Sequence, residues 1–436
     1  MLLRTQFVLF ILLLSVPAVY AQKGKKADKL LSANLETHIR YLSDSKLEGR
    51  KPGSPGEKTA SDYVSIEWMK AGLQPKGDNN GWLQAFEINE GRQIGPDAYF
   101  SVNDKTLIAN KEYFPLAFSA TVSLSGSPAV ALQEKGDPWF LDLKELLEAG
   151  QGNPHFDLGE ILHARVKEAA KKGATAIILY NSSKIADNLS FDPKDRSEKT
   201  TIPVVYITKE AKRKYLKDES ASVEMKVKVA FTEKKRTGHN ILGYLDNGAP
   251  ITVIIGTNYN AGDDHVSGAA AAIELAKMLR QSRQKNNNYL FIAFSGEAPA
   301  LWGSGYFVDH PVVDLKKVNC MISLDRIGRL NDSSRILTVG GSASSSSWGE
   351  IWPNAGDKKY FTLNYDNNGA GAGDQASFYR KDIPVLFFST GGNGVQQQAG
   401  DAGTANYAGE AEVLKYIYTL LGNVNTRGRM AFTKIP

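Results

Sequence analysis

The stretch ITVIIGTNYNAGDDHVSGAAAAIELAKML, residues 251–279, decides how this chain is read. Its first five residues form an apolar, β-branched run with no polar alternation, the pattern of a strand buried on both faces. From residue 267 the apolar positions recur at helical spacing. Between the two lie adjacent carboxylates and a histidine: Asp263, Asp264 and His265. A strand handing over to a helix places these groups at the carboxyl end of a strand, where open α/β sheets bind their ligands.

The alternation continues along the chain. After residue 240 come NILGYL, ITVIIG, a helix at 267–281, YLFIAFS, a helix at 304–309, VNCMISLD, RILTVGG, YFTLNYD, a helix at 374–381, IPVLFFST and a helix at 409–422. This order predicts an α/β domain with a mostly parallel sheet and helices on both faces. FSGEA (294–298) and SLDRIG (323–328) fall at further carboxyl ends. Upstream, SANLETHIRYLS opens an amphipathic helix that Ser32 is placed to cap, and EGRKPGSPGEKTASDYVSIEWMKAGL reads as a Gly/Pro loop followed by a second helix. The character changes between about 105 and 236, where GEILHARVKEAAKKGATAIILYN and TIPVVYITKEAKRKYL suggest a smaller α/β module. The expected organisation is a leader at 1–21, a first part of the main domain at 22–104, an inserted module at 105–236 and the main α/β domain at 237–436.

Composition narrows the function classes. With 436 residues, 42% hydrophobic and 23% charged, the chain has a globular balance. The formal charge is +5, but Lys and Arg are scattered, and QKGKKADK and EKKR read as a solvated tail and a linker, so nucleic acid is not an expected partner. Arg4, the run FVLFILLLSV and the small residues Val19 and Ala21 ahead of Gln22 have the layout of an export signal. That run falls short of the roughly 20 apolar residues a membrane span needs, so an exported, periplasmic or extracellular protein without a membrane span is expected. The lone Cys320 excludes a disulfide framework and a thiolate metal cluster.

Seven segments in order, YLSDSKLEGRKPGSPGEKTASDYV, KKGATAIILYN with TIPVVYIT, GHNILGYL, DDHVSGAAAAIELAKML, FIAFSGEAPALWGSGYF, ISLDRIG and IPVLFFSTG, resemble the co-catalytic zinc aminopeptidases. This is the metallopeptidase family of the bacterial aminopeptidase, glutamate carboxypeptidase and transferrin receptor type, and the resemblance includes its protease-associated insert. It implies a zinc-exopeptidase-like fold and two zinc ions roughly 3.5–4 Å apart, with a bridging water activated by a glutamate. Carried over residue by residue, it puts Asp264 at the bridging aspartate, Asp325 at the second aspartate and Glu297 at the general base. The remaining ligand positions depart from the pattern. Asn258, with Asn260 beside it, stands where a histidine is usual, Ala298 replaces the ligand glutamate, and Gln397 aligns with the last histidine. Gln375 also replaces a histidine common in the family.

A histidine offers zinc a nitrogen lone pair, whereas Asn and Gln offer an amide oxygen, a weak hard donor. With three of five ligands altered, the expectation is a pseudopeptidase that binds a peptide or protein and needs no cofactor, as transferrin-receptor-like members keep the fold without a working zinc site. The alternative is an active exopeptidase whose divergent metal site recruits Asp263, Asp264, His265, Glu297, Asp325 and Asp374 or Asp401, an oxygen-rich set suited to manganese, magnesium or calcium. Arg326 next to Asp325 suggests a cation that neutralises a residual carboxylate. Strand alternation argues against it, because neighbouring side chains normally face opposite ways. His38, His155, His163, His239 and His310 fall outside the expected site, and SASSSSWGEIW reads as a solvated loop entering a helix.

Overall fold

The computed structural model describes residues 25–218, 220–260, 266–296, 300–352, 361–366, 371–391 and 405–434. The chain divides into two compact units, one formed by residues up to Ile88 with Thr237–Pro436, the other by Asn89–Arg236.

The first unit begins with helix α1 (25–42) and α2 (Pro55–Lys70). Ser32 does not cap α1. It lies inside the helix and donates its hydroxyl to the Asp28 carbonyl one turn back, at 3.0 Å. Helix α2 starts where the sequence provides a capping box: Ser54 accepts from the Glu57 amide at 3.2 Å, Pro55 is the first helical residue, and the Glu57 carboxylate turns back to Gly53 N. Strands β1 (Gln74–Pro75) and β2 (Leu83–Ile94) follow.

In the second unit the strands are β3 (Tyr99–Val102), β4 (Lys105–Thr106), β5 (Tyr113–Pro115), β6 (Ser123–Gly126), β7 (Pro138–Asp142), β8 (Ala176–Tyr180), β9 (Val204–Ile207) and β10 (Met225–Lys228). They form two four-stranded sheets, ordered β4-β3-β10-β6 and β5-β9-β8-β7, with helices α3 (Lys144–Gly150), α4 (Leu158–Lys172) and α5 (Lys209–Tyr215). Strand β3 pairs antiparallel with β10. That pairing draws the segment before residue 105 into this unit, so the unit opens at Asn89 rather than at 105.

Returning to the first unit, the chain runs through β11 (Phe231–Leu245), β12 (Thr252–Asn258), α6 (Val266–Gln281), β13 (Asn288–Phe294), α7 (Trp302–Asp309), β14 (Val318–Leu324), β15 (Ile336–Gly340), α8 (Trp348–Ile351), β16 (Thr362–Asp366), α9 (Gln375–Tyr379), β17 (Val385–Ser389) and α10 (Tyr407–Thr426). The sheet order is β1-β11-β13-β12-β14-β17-β15-β16, with β2 beside β11. Strands β13, β12, β14 and β17 are mutually parallel, while β11 and β15 join antiparallel. The mostly parallel α/β architecture expected from the sequence is therefore present.

The unbroken apolar strands follow from two cores. Val253, Ile255, Phe291, Cys320 and Ile322 face one core, with Ala269–Ala272 of α6, Trp68 of α2 and Leu414 of α10. Ile254, Leu290, Ile292 and Met321 face the other, with Phe307 of α7 and Phe378 of α9. Every residue of β12, β13 and β14 is buried, so no position along them is polar for solvation's sake. Gly268 lets α6 touch the sheet ends, since a Cβ there would lie 2.3 Å from Leu324 O and 2.4 Å from Thr257 Oγ1. The segment SASSSSWGEIW is not a solvated loop. Ser344, Ser345 and Ser347 are buried, and Ser344 Oγ accepts from Val385 N and donates to Val385 O, both at 2.9 Å. No described helix is long and apolar enough to cross a membrane.

Candidate functional site

The carboxyl ends of β12, β13, β14 and β17 gather at one end of the sheet. Strand β12 ends at Asn258, paired with Phe294 of β13. Asn258 Oδ1 accepts from Asn260 N at 2.8 Å, and among the described residues its buried Nδ2 has no hydrogen-bond partner. At the position where a histidine was expected to ligate, this side chain presents an amide nitrogen and an oxygen already in use. Asn260 is committed as well: Nδ2 donates to Arg50 O at 2.9 Å, and Oδ1 accepts from Gly296 N at 2.5 Å. It ties the loop after α1 to the ends of two strands.

Arg50 is buried and sits at φ 55° within a left-handed run that includes Glu48 and Gly49. Its Nε donates to Tyr259 O at 2.7 Å, and Nη1 donates to Leu42 O. Tyr259 in turn donates its hydroxyl to His239 O at 2.7 Å. Burial, reinforced by the nearby Glu57 charge, holds the Tyr259 phenol well above its usual value near 10.

Glu57 is the centre of this polar layer and is 1% exposed. Its carboxylate accepts from Ser295 Oγ at 2.5 Å, Gly53 N at 2.8 Å, His239 N at 3.2 Å and His239 Nδ1 at 3.1 Å. Four donors satisfy a buried anion. Strand β11 runs antiparallel to β13 with Ile241 opposite Ala293, a register that sets His239 opposite Ser295. His239 is thus a part-exposed imidazole at the carboxyl end of β13, with Nδ1 turned to a buried carboxylate. Sequence reading placed His239 outside the site. The local cue was TGHN at the entry to a strand, but its partner Glu57 lies 182 residues away.

Asp325 directly follows β14, its amide donating to Phe388 O at 3.1 Å. It is 8% exposed, and Arg326 Nε donates to its Oδ2 at 3.1 Å. The alternation that argued against this contact breaks because Arg326 adopts φ 45°, turning its side chain back beside Asp325. Thr390 holds the turn, both its N and Oγ1 donating to Arg326 O. Asp374 and Gln375 open α9 and are buried. Among the described residues no three His, Cys, Asp or Glu side chains converge as a metal site would require.

Asp263, Asp264, His265, Glu297, Ala298, Gln397 and Asp401 lie outside the described residues. Of the expected ligand positions, Asn258 and Asp325 are described: Asn258 Oδ1 accepts from Asn260 N, and Asp325 Oδ2 is paired with Arg326.

Of the remaining histidines, His38 is buried, with Nδ1 2.7 Å from Tyr63 Oη and Nε2 3.1 Å from Glu274 Oε1. It joins α1, α2 and α6. Burial alone would raise the Glu274 carboxyl, but hydrogen bonds from His38, Lys277 and Asn34 outweigh it and bring the group down to about 2. Glu410, at the start of α10, is fully buried, and among the described residues neither carboxyl oxygen has a hydrogen-bond partner. Burial pushes it well above the usual carboxylate range.

Residues 244–418 match the model of peptidase family M28. The fold is similar to that of BSAP, a zinc aminopeptidase from Bacillus subtilis, with a TM-score of 0.50 and 20% identity over 93% of this chain and 98% of that one. The aminopeptidase from Aneurinibacillus sp. strain AM-1 aligns with a TM-score of 0.49 and 19% identity over 93% and 95% of the two chains. Glutaminyl cyclase from Porphyromonas gingivalis aligns with a TM-score of 0.45 and 11% identity over 90% and 97%. At 20% identity the likeness to BSAP is one of fold. No curated protein matches the sequence.

Proposed function

From residues 244–418, which match the model of peptidase family M28, we infer that this protein is a pseudopeptidase, a peptide-binding relative whose metal centre has been replaced by neutral amides and a protein cation. The observation that carries the reading is the Asp325–Arg326 pair. A carboxylate left in a cleft without its metal needs another positive charge, because an uncompensated buried anion costs several kcal/mol. Arg326 supplies that charge from a backbone conformation rare for a side chain of its size. Asn258 supports the same conclusion, since its oxygen serves the local turn rather than an open coordination position.

Under this reading the described polar layer is a scaffold. Arg50, Glu57, Asn260 and Ser295 bind one another and shape the end of the sheet. His239 is the part-exposed polar group available to a ligand at this edge. The peptide ligand class comes from the family, and export from the apolar run at residues 7–16. The sequence from Gln22 is then the mature chain.

The deciding experiment equilibrates the mature protein with zinc and manganese, removes weakly held metal and measures the metal retained per chain. It then assays release of aminoacyl groups from chromogenic amides. The expected result is no stoichiometric metal and no turnover. Two retained metal ions with turnover would replace this reading with that of a divergent active exopeptidase.

A further inference from the structure

The amino end of β14 lies about 23 Å from Asp325, at roughly 3.3 Å per strand residue. There the segment after α10 folds back and lines an open pocket of about 540 Å³. Its wall is held at three points. Met430 N donates to Asn319 Oδ1 at 2.8 Å, Thr433 N donates to Ser344 O at 2.8 Å, and the Phe432 ring packs 5.2 Å from that of Tyr379.

The lining divides by chemistry. Val318, Ile383 and Met430 are buried and form an apolar floor. Lys316 and Arg429 are exposed at the rim, and among the described residues no carboxylate lies within ion-pair distance of either side chain. Lys381, also at the rim, is neutralised by Asp309 at 2.9 Å. Asp382 is the one carboxylate of the lining, so the rim keeps a single net positive charge. The Asn319 side chain, next to Val318, is fully buried, and among the described residues its Nδ2 is a donor with no partner.

We propose that this cavity is a binding site for a small organic monoanion with an apolar body, of the aryl or short-chain carboxylate class. The hydrocarbon covers Val318, Ile383 and Met430, and the carboxylate lies between Lys316 and Arg429. The volume falls in the range of small-molecule pockets, roughly 300–1,000 Å³. The Arg429 guanidinium matches a carboxylate with two parallel donors, and Asp382 disfavours a dianion in the same rim.

The test uses the full mature chain with ¹³C-labelled methionine methyl groups and two probes of equal size, 4-phenylbutyrate and the neutral 4-phenylbutyramide. The expected result is a saturable shift of the Met430 methyl with the carboxylate, weaker by at least about tenfold with the amide. Arg429→Ala should weaken it comparably, and the Lys316→Ala/Arg429→Ala pair should abolish saturation. Both cations are exposed, so the fold is expected to persist, and unchanged Met225 and Met278 methyls check that it has. An unshifted Met430 at about 10 mM carboxylate, equal affinity for the amide, or full affinity in the folded double variant would each overturn the proposal.

Discussion

Glu57 offers the most exacting test of how the end of the sheet is built. Replacing it with alanine removes the acceptor for Ser295 Oγ, Gly53 N, His239 N and His239 Nδ1. A buried donor left unmade costs about 1–3 kcal/mol. The Ser295 hydroxyl can rotate and the part-exposed His239 ring can reach water, so the full cost falls mainly on the two backbone amides. Loss of the side chain's packing at the start of α2 adds to it. Glu57→Ala should therefore destabilise by about 4 kcal/mol. At roughly 2 °C per kcal/mol for a unit of this size, that is a fall in Tm of about 8 °C. Glu57→Gln keeps the volume but turns an NH₂ group toward donors, and should lose about half as much. Scanning calorimetry of the three proteins at pH 7 measures both. A Glu57→Ala variant melting within about 2 °C of the parent would refute the account, because it would mean the four donors find other partners without cost.

Arg326→Ala leaves Asp325 without its cation; with Arg326 half in solvent, the expected loss is about 1–2 kcal/mol in urea denaturation. If Arg326 stands in for a metal, the same variant should also bind Zn²⁺ or Mn²⁺ at least about tenfold more tightly by calorimetric titration, and unchanged affinity would count against that role. Glu274 is held at about 2 when folded, against an ordinary value of 4.5. Its contribution is complete above pH 4.5 and is lost as pH falls toward 2, so Glu274→Gln should flatten the acid side of the stability profile by about 2 kcal/mol. Glu410 is shifted the opposite way by burial, so below pH 4.5 it is protonated in both states and costs little. As pH rises above that value the unfolded chain releases a proton that the folded chain keeps, and stability declines until the folded group ionises. Glu410→Met should raise stability by about 1–3 kcal/mol, more at pH 8 than at pH 4; equal gains at both would show that Glu410 is not held neutral.

Much of the fold was legible because its signals are local. The runs ITVII, YLFIAF and VNCMISL are apolar without alternation, and the structure buries their odd and even residues in two different cores. The Gly/Pro loop ahead of a second helical stretch was also legible, and α2 follows it. The start of α1 was misplaced for an equally local reason. Serine favours caps, but Ser32 can also bond back to Asp28 inside a helix, and sequence does not choose between the two. The serines of SASSSSW were misread because composition alone suggests solvent, whereas Ser344 completes the backbone bonding of Val385. The boundary at residue 105 came from a change in composition, which could not reveal that β3 pairs with β10 more than a hundred residues on.

At the site the limits were of a different kind. The replaced amide at Asn258 was visible, since a single residue type settles whether a nitrogen lone pair is present. The Glu57–His239 contact was not, because it joins a helix start to a strand distant in sequence and neither segment bears a motif of its own. Arg326 is the instructive case. Alternation along a strand is a rule about extended backbone, and it predicted that Arg326 would face away from Asp325. The strand ends at Leu324, and one left-handed residue immediately beyond it is enough to reverse the prediction. Loop residues at the carboxyl ends of strands are where ligands bind and where alternation stops applying, so polar neighbours there have to be assigned from backbone angles. The Asp325–Arg326 pair follows from one such angle, and the inferred loss of metal chemistry depends on it.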